Sequence, residues 1–181
     1  LKNESQKTID MITKIDTGIP INTNNRILDN LYAAKNWYFG FDENNFMNKD
    51  QKDAGFLIVT YKENQDYYNN DILNTYAQFI FDVVNNKSLI KFKKITRIYW
   101  NWYHPGSVMQ FHMDNKEDNA FSIIYNLHNN DGGTEFKINN KIDFYKSIAS
   151  EAIVFPSKLY HRGIAPKLKP NRFCLNIMLE I

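Results

Sequence analysis

Apolar positions along this chain follow two different periods. Thr23 to Phe39 sets Ile27, Leu28, Leu31 and Ala34 at helical spacing behind a cap-like Thr23 or Asn24, which predicts a helix. Asp71 to Val84 repeats Ile72, Leu73, Tyr76, Phe79, Ile80 and Val83, which predicts a second, amphipathic helix with Asn70 or Asp71 near its cap. Between them, Asn44 to Asp53 reads as a polar loop and Phe56 to Tyr61 as a strand. From Lys94 the period falls to two. Ile95–Tyr103, Val108–Met113, Phe121–His128, Thr134–Ile138, Glu151–Phe155 and Asn171–Ile181 read as strands. The turn clusters His104-Pro105-Gly106, Asn129-Asn130-Asp131-Gly132, Asn139-Asn140 and Pro166 to Pro170 separate them.

Helices followed by antiparallel-type strands predict an α+β chain, mainly β, with a double-sheet barrel flanked by N-terminal helices. We expect a single domain over 1–181, in which 1–93 covers the barrel and 94–181 forms it. The last strand divides sharply. Phe173, Leu175, Ile177, Leu179 and Ile181 share one face; Arg172, Cys174, Asn176, Met178 and Glu180 share the other. Helices over the apolar face would leave Arg172 pointing inward, where a charge needs a partner. Ile95–Tyr103 splits likewise, with Ile95, Arg97, Tyr99, Asn101 and Tyr103 opposite Thr96, Ile98, Trp100 and Trp102. Two polar inner faces predict a lined cavity rather than a filled core.

Composition narrows the function classes. The 181 residues are 43% apolar and 23% charged, ordinary for a globular domain. A net charge of +2 is too small to argue for nucleic-acid or membrane-surface partners. No apolar run approaches the roughly 20 residues of a spanning helix. The single cysteine, Cys174, precludes an intrachain disulfide and a Cys-rich zinc site, and points to a cytoplasmic location. Heavy use of Asn, Lys and Ile suggests an AT-rich genome, viral or low-GC microbial; a viral source would mean the host cytoplasm. The start at Leu1, without an initiator methionine, leads us to expect a missing N-terminal piece. Oligomeric state is not legible.

The candidate chemistry is a metal site. In Phe111-His112-Met113-Asp114, an imidazole and a carboxylate stand two residues apart and point the same way on an extended backbone. His161, far downstream, supplies a third donor. Two imidazoles and one carboxylate on one face of an octahedron leave three positions open, the arrangement that binds Fe(II), a co-substrate and O2 together. Arg172 follows at the start of the apolar-backed strand, where a guanidinium would grip a carboxylate. A dicarboxylic 2-oxo acid would satisfy both metal and arginine.

From about Arg97 to Ile181 the chain resembles the 2-oxoglutarate/Fe(II)-dependent dioxygenases, most closely the prolyl-4-hydroxylase-like branch and its phage-encoded relatives. The matching segments are Tyr103-His104-Pro105-Gly106, His112-Met113-Asp114, Ile123 to Leu127, Gly132-Gly133-Thr134-Glu135-Phe136, Val154-Phe155-Pro156-Ser157, Tyr160-His161-Arg162-Gly163 and Asn171-Arg172-Phe173. The resemblance implies a double-stranded β-helix, or jelly roll. It implies His112, Asp114 and His161 as catalytic iron ligands, and Arg172 as the residue that binds the distal carboxylate of 2-oxoglutarate. Tyr103 matches a co-substrate tyrosine, and Tyr125 or Asn126 falls where the family supports the same carboxylate; Asn126 is our choice. Cys174 stands where a serine is common. Asp114 favours hydroxylation, because halogenating relatives have a small residue there. The implied reaction couples hydroxylation by O2 to decarboxylation of 2-oxoglutarate. The expected substrate is a prolyl or other protein side chain, with a free amino acid, a small metabolite or a modified nucleobase left open.

Two other functions remain: a non-oxidative, metal-binding cupin-like isomerase or sensor, and a structural jelly-roll module that has lost activity. Other notable residues have plainer readings. His104 and His128 read as solvated loop residues, Trp100 and Trp102 as core, and Cys174 as packing. Arg162 is expected to face away from the site, and Gly132-Gly133 to form a tight turn with unusual backbone angles.

Overall fold

The period-two half of the chain builds two antiparallel sheets. The computed structural model describes residues 12–39, 55–63, 71–107 and 109–181. Its strands are β1 (Thr13–Asp16), β2 (Tyr38–Phe39), β3 (Phe56–Lys62), β4 (Lys94–Tyr103), β5 (Ala120–Asn126), β6 (Gly133–Ile138), β7 (Lys141–Lys146), β8 (Glu151–Pro156), β9 (His161–Ile164) and β10 (Arg172–Glu180), with helices α1 (Ile21–Ala33) and α2 (Asp71–Lys87). The large sheet has seven strands in the order β1-β8-β5-β10-β4-β3-β2, and the small one three, β7-β6-β9. The backbone at His112 joins the free edge of β9 by reciprocal 2.9 Å N–H···O bonds with His161.

Register fixes what faces the second sheet. Arg172 lies opposite Tyr103, Cys174 opposite Asn101 and Asn176 opposite Tyr99. On the other side of β10, Cys174 pairs with Asn126, Asn176 with Ile124 and Met178 with Ser122. The alternate residues Phe173, Leu175, Ile177 and Leu179 fall in one buried cluster with Ile58, Trp100, Ile27 and Leu31 of α1, and Leu73, Ala77 and Ile80 of α2. A second cluster, including Ile124, Phe136, Ile138, Ile153 and Phe155, joins the two sheets. Among the described residues, no helix is long and apolar enough to cross a membrane.

Several sequence expectations need correction. The first helix runs over Ile21–Ala33, not Thr23–Phe39. Pro20 precedes it and offers no side-chain cap; its carbonyl receives the N–H groups of Thr23 and Asn24 as the first bonds of the helix. Asn24 points inward instead, accepting from the Tyr125 hydroxyl at 2.7 Å. The helix stops because Ala34 turns extended and the chain goes on to pair Tyr38 and Phe39 with Leu57 and Phe56. Val108–Met113 is not a strand: His112 alone pairs, and Val108 lies outside the described residues. The loop expected over Asn44–Asp53 also lies outside them, as does Asn70. β1, β7 and β9 were not foreseen. Gly132 and Gly133 serve close approach rather than positive φ: a Cβ would sit 2.4 Å from the Ile164 carbonyl oxygen at Gly132, and 2.2 Å from that of Tyr145 at Gly133.

Candidate metal centre

The three sequence-predicted donors converge. One donor atom each from His112, Asp114 and His161 lies within 4.8 Å of the others. His112 Nε2 is 3.5 Å from Asp114 Oδ1, and His161 Nε2 is 3.5 Å from Asp114 Oδ2. The side chains of His161 and Asp114 are only 2% and 4% exposed, whereas that of His112 is 46% exposed. The site is therefore set on a buried wall and completed by an accessible imidazole.

Both imidazoles are oriented by backbone carbonyls. His161 Nδ1 donates to the Leu159 oxygen at 2.9 Å, and His112 Nδ1 to the Gln110 oxygen at 3.1 Å. That fixes the tautomer and leaves each Nε2 lone pair facing the site, as metal-binding histidines require. Asp114 is held by its backbone N–H, which donates to the Ser157 carbonyl at 3.0 Å, and by the Ser122 hydroxyl, 2.6 Å from Oδ2. Burial pushes the Asp114 carboxyl up, but His161, His112 and Ser122 outweigh it and hold it well below the usual carboxylate range. Burial pushes His161 down against the pull of Asp114. At His112 burial also acts downward, but the hydrogen bond and charge of Asp114 overcome it and raise the imidazole. An ionised carboxylate between two imidazoles is a cation-ready donor set.

Arg172 lies in the same cavity, which Tyr103, Thr134, Gly163 and Cys174 also line. Its side chain is 1% exposed. Nη2 reaches Asn126 Oδ1 at 3.4 Å and Thr134 Oγ1 at 3.3 Å, and the guanidinium lies 4.9 Å from the Tyr103 ring centroid. Nε and Nη1 have no hydrogen-bond partner, and no acidic side chain pairs with Arg172 among the described residues. A buried guanidinium left in that state is costly unless an anion completes it.

Asn126 reaches the site through the arginine. Its Oδ1 accepts from Arg172 and, at 3.0 Å, from the Ser147 hydroxyl. Tyr125 faces the other side of the sheet, toward α1. Tyr103 packs against Gly163, where a Cβ would sit 2.5 Å from the Tyr103 hydroxyl. Burial pushes that phenol far up, so it stays protonated. Arg162 turns outward, pairing with Glu135 at 2.7 Å and stacking over Phe111. Trp100 is fully buried in the helix-side core. His128 is half-buried, its Nε2 accepting from the Phe173 N–H, and His104 packs against Phe56. Ser122, Ser157, Thr134 and Gly163 escaped the sequence reading as site residues; the usable signals were the family-like segments that hold Thr134, Ser157 and Gly163, and the inward parity of Ser122.

Known structures share this fold. A prolyl-4-hydroxylase from Pseudomonas putida superposes with a TM-score of 0.68 at 10% identity, covering 99% of this chain and 100% of that one. A Trichoplax adhaerens prolyl hydroxylase in complex with a hypoxia inducible factor peptide fragment gives 0.67 at 13% identity, covering 98% and 89%. HygX from Streptomyces hygroscopicus, with nickel, 2-oxoglutarate and hygromycin B bound, gives 0.66 at 9% identity, covering 99% and 87%. No family model and no curated protein sequence matches the chain.

Proposed function

We propose that this chain is an Fe(II)- and 2-oxoglutarate-dependent dioxygenase that hydroxylates a prolyl or other protein side chain. The observation that carries this reading is the buried Arg172, with Nε and Nη1 unsatisfied, in the same cavity as His112 and His161. A metal site alone would not need it. A dicarboxylate bridging metal and guanidinium explains both, and a non-oxidative cupin-like protein would leave Arg172 without a purpose. The fold shared with two prolyl hydroxylases supports the substrate class, and HygX keeps a small molecule as the second candidate.

The residues present fit both groups. His112, Asp114 and His161 would hold Fe(II), whose contribution when bound is to activate O2 for transfer of one oxygen atom to a substrate carbon. In the overall balance, a C–H bond, O2 and 2-oxoglutarate give an alcohol, succinate and CO2. Arg172 would bind the distal carboxylate in a charge-assisted pair, with Thr134 and protonated Tyr103 beside it. Asn126 and Ser147 brace the guanidinium from behind. The apolar cluster between the sheets, including Ile124 and Phe155, keeps bulk water from the inner wall. Asp114 fills the position that a halide would need, which favours hydroxylation. The chain works as one domain, with 94–181 as the catalytic core and 1–93 shaping access to it.

Succinate formation tests the proposal. Anaerobically purified protein given Fe(II), 2-oxoglutarate and O2 should release succinate, faster when a prolyl peptide is accepted. Absence of succinate under all these conditions would count against the dioxygenase reading.

A further inference from the structure

Asp114 stands in the loop between β4 and β5, yet both of its carboxylate oxygens are addressed from the large sheet. We infer that Ser122 and Tyr99 are positioning residues that orient this carboxylate for the metal, each backed by a second donor. The inference rests on the metal site proposed above.

The direction of each hydrogen bond follows from proton counting. A carboxylate only accepts, and a hydroxyl has one proton to give. Ser122 Oγ lies 2.6 Å from Asp114 Oδ2 and 2.8 Å from Ser157 Oγ. Ser122 therefore spends its proton on Asp114, and Ser157 donates to Ser122. Both serines are fully buried, so water does not compete. On the other oxygen, the Asn176 amide nitrogen donates to the Tyr99 phenol oxygen. That leaves the single Tyr99 proton for Asp114 Oδ1, 3.4 Å away. Tyr99 and Asn176 are buried as well.

Two polarised chains thus end on one ligand, Ser157 to Ser122 to Oδ2 and Asn176 to Tyr99 to Oδ1. Ser157 holds the same residue a second way, because its carbonyl accepts the N–H groups of Asp114 at 3.0 Å and Asn115 at 3.3 Å. A loop-borne carboxylate would otherwise lose rotamer freedom on binding metal; here the sheet restricts it beforehand. The shorter contact, at Oδ2, assigns the larger share to Ser122.

Anaerobic titration with Co(II), followed by its d–d absorption, tests this without turnover. Relative to wild type, Ser122→Ala should bind Co(II) roughly 10- to 100-fold more weakly, with a changed d–d spectrum. Ser122→Thr, which keeps the hydroxyl, should recover most of the affinity, and Ser157→Ala and Tyr99→Phe should each lose less than Ser122→Ala. A folded Ser122→Ala that matches wild-type affinity and spectrum overturns the inference. Should Ser122→Ala fail to melt cooperatively, unchanged Co(II) affinity in both Ser157→Ala and Tyr99→Phe overturns it equally. Wild-type protein that does not bind Co(II) overturns the metal site itself, a result distinct from a site that binds but ignores Ser122.

Discussion

The two faces of β10 carry different burdens. On one, Phe173, Leu175, Ile177 and Leu179 merge with the helix residues into one apolar cluster. On the other, Arg172, Cys174 and Asn176 line a cavity, and two nitrogens of Arg172 are unsatisfied. Residues one position apart thus differ in cost: the first face gains free energy by leaving water, and the second loses some by burying polar groups without partners, a loss that the proposed co-substrate would offset. Local stability and the proposed function are separated by a single step of the strand, so substitutions at adjacent positions should have separable consequences.

Arg172→Leu should have the largest effect. Losing a buried, charge-assisted contact should cost about 2–5 kcal/mol of 2-oxoglutarate binding, read by calorimetry of the metal-loaded protein without O2. Its melting temperature should hold or rise, because an uncompensated buried charge is removed while Asn126 keeps its bond from Ser147. Ile177→Ala on the opposite face should do the reverse, lowering unfolding free energy by about 2–5 kcal/mol in denaturant titration with metal affinity unchanged. Gly163→Ala should blur the division. Its Cβ would press on the Tyr103 hydroxyl, and overpacking of this kind costs about 1–3 kcal/mol of stability while weakening co-substrate binding. Asn126→Ala should have the smallest effect, about 0.5–1.5 kcal/mol in 2-oxoglutarate affinity, since it acts only by bracing the guanidinium.

Much of this division was legible in the chain. Strict alternation in β4 and β10 separated Trp100 from Tyr99 and Leu175 from Arg172, because a strand backed by a core must keep one face apolar. His112 and Asp114 alone would pass for a polar strand-end pair; they stood out with His161 because the Gly132-Gly133 segment and Arg172 follow in the order that the family resemblance implies. Other features depend on contacts that local patterns do not encode. β1 is short and pairs with β8 far along the chain. β7 is an edge strand whose alternate residues Ile142 and Phe144 are both exposed while Tyr145 alone packs inward against Phe136, so its apolar pattern points the wrong way. Ser122 and Ser157 look like ordinary strand and turn residues; their hydrogen bond, formed where β5 runs beside the end of β8, is a contact that no local pattern encodes. The glycine pair was correctly marked as special, but for backbone angle rather than for the carbonyls that crowd it.

Optical titration of Fe(II) and 2-oxoglutarate together under anaerobic conditions tests the proposed centre most directly. A visible charge-transfer absorption should appear when both are present, be absent with either alone, and be lost in His112→Ala. That variant is suited to the purpose because its side chain is half-exposed and its removal should leave the core intact. A wild-type protein with no such absorption, or a His112→Ala variant that develops it with undiminished affinity, would contradict the proposed centre.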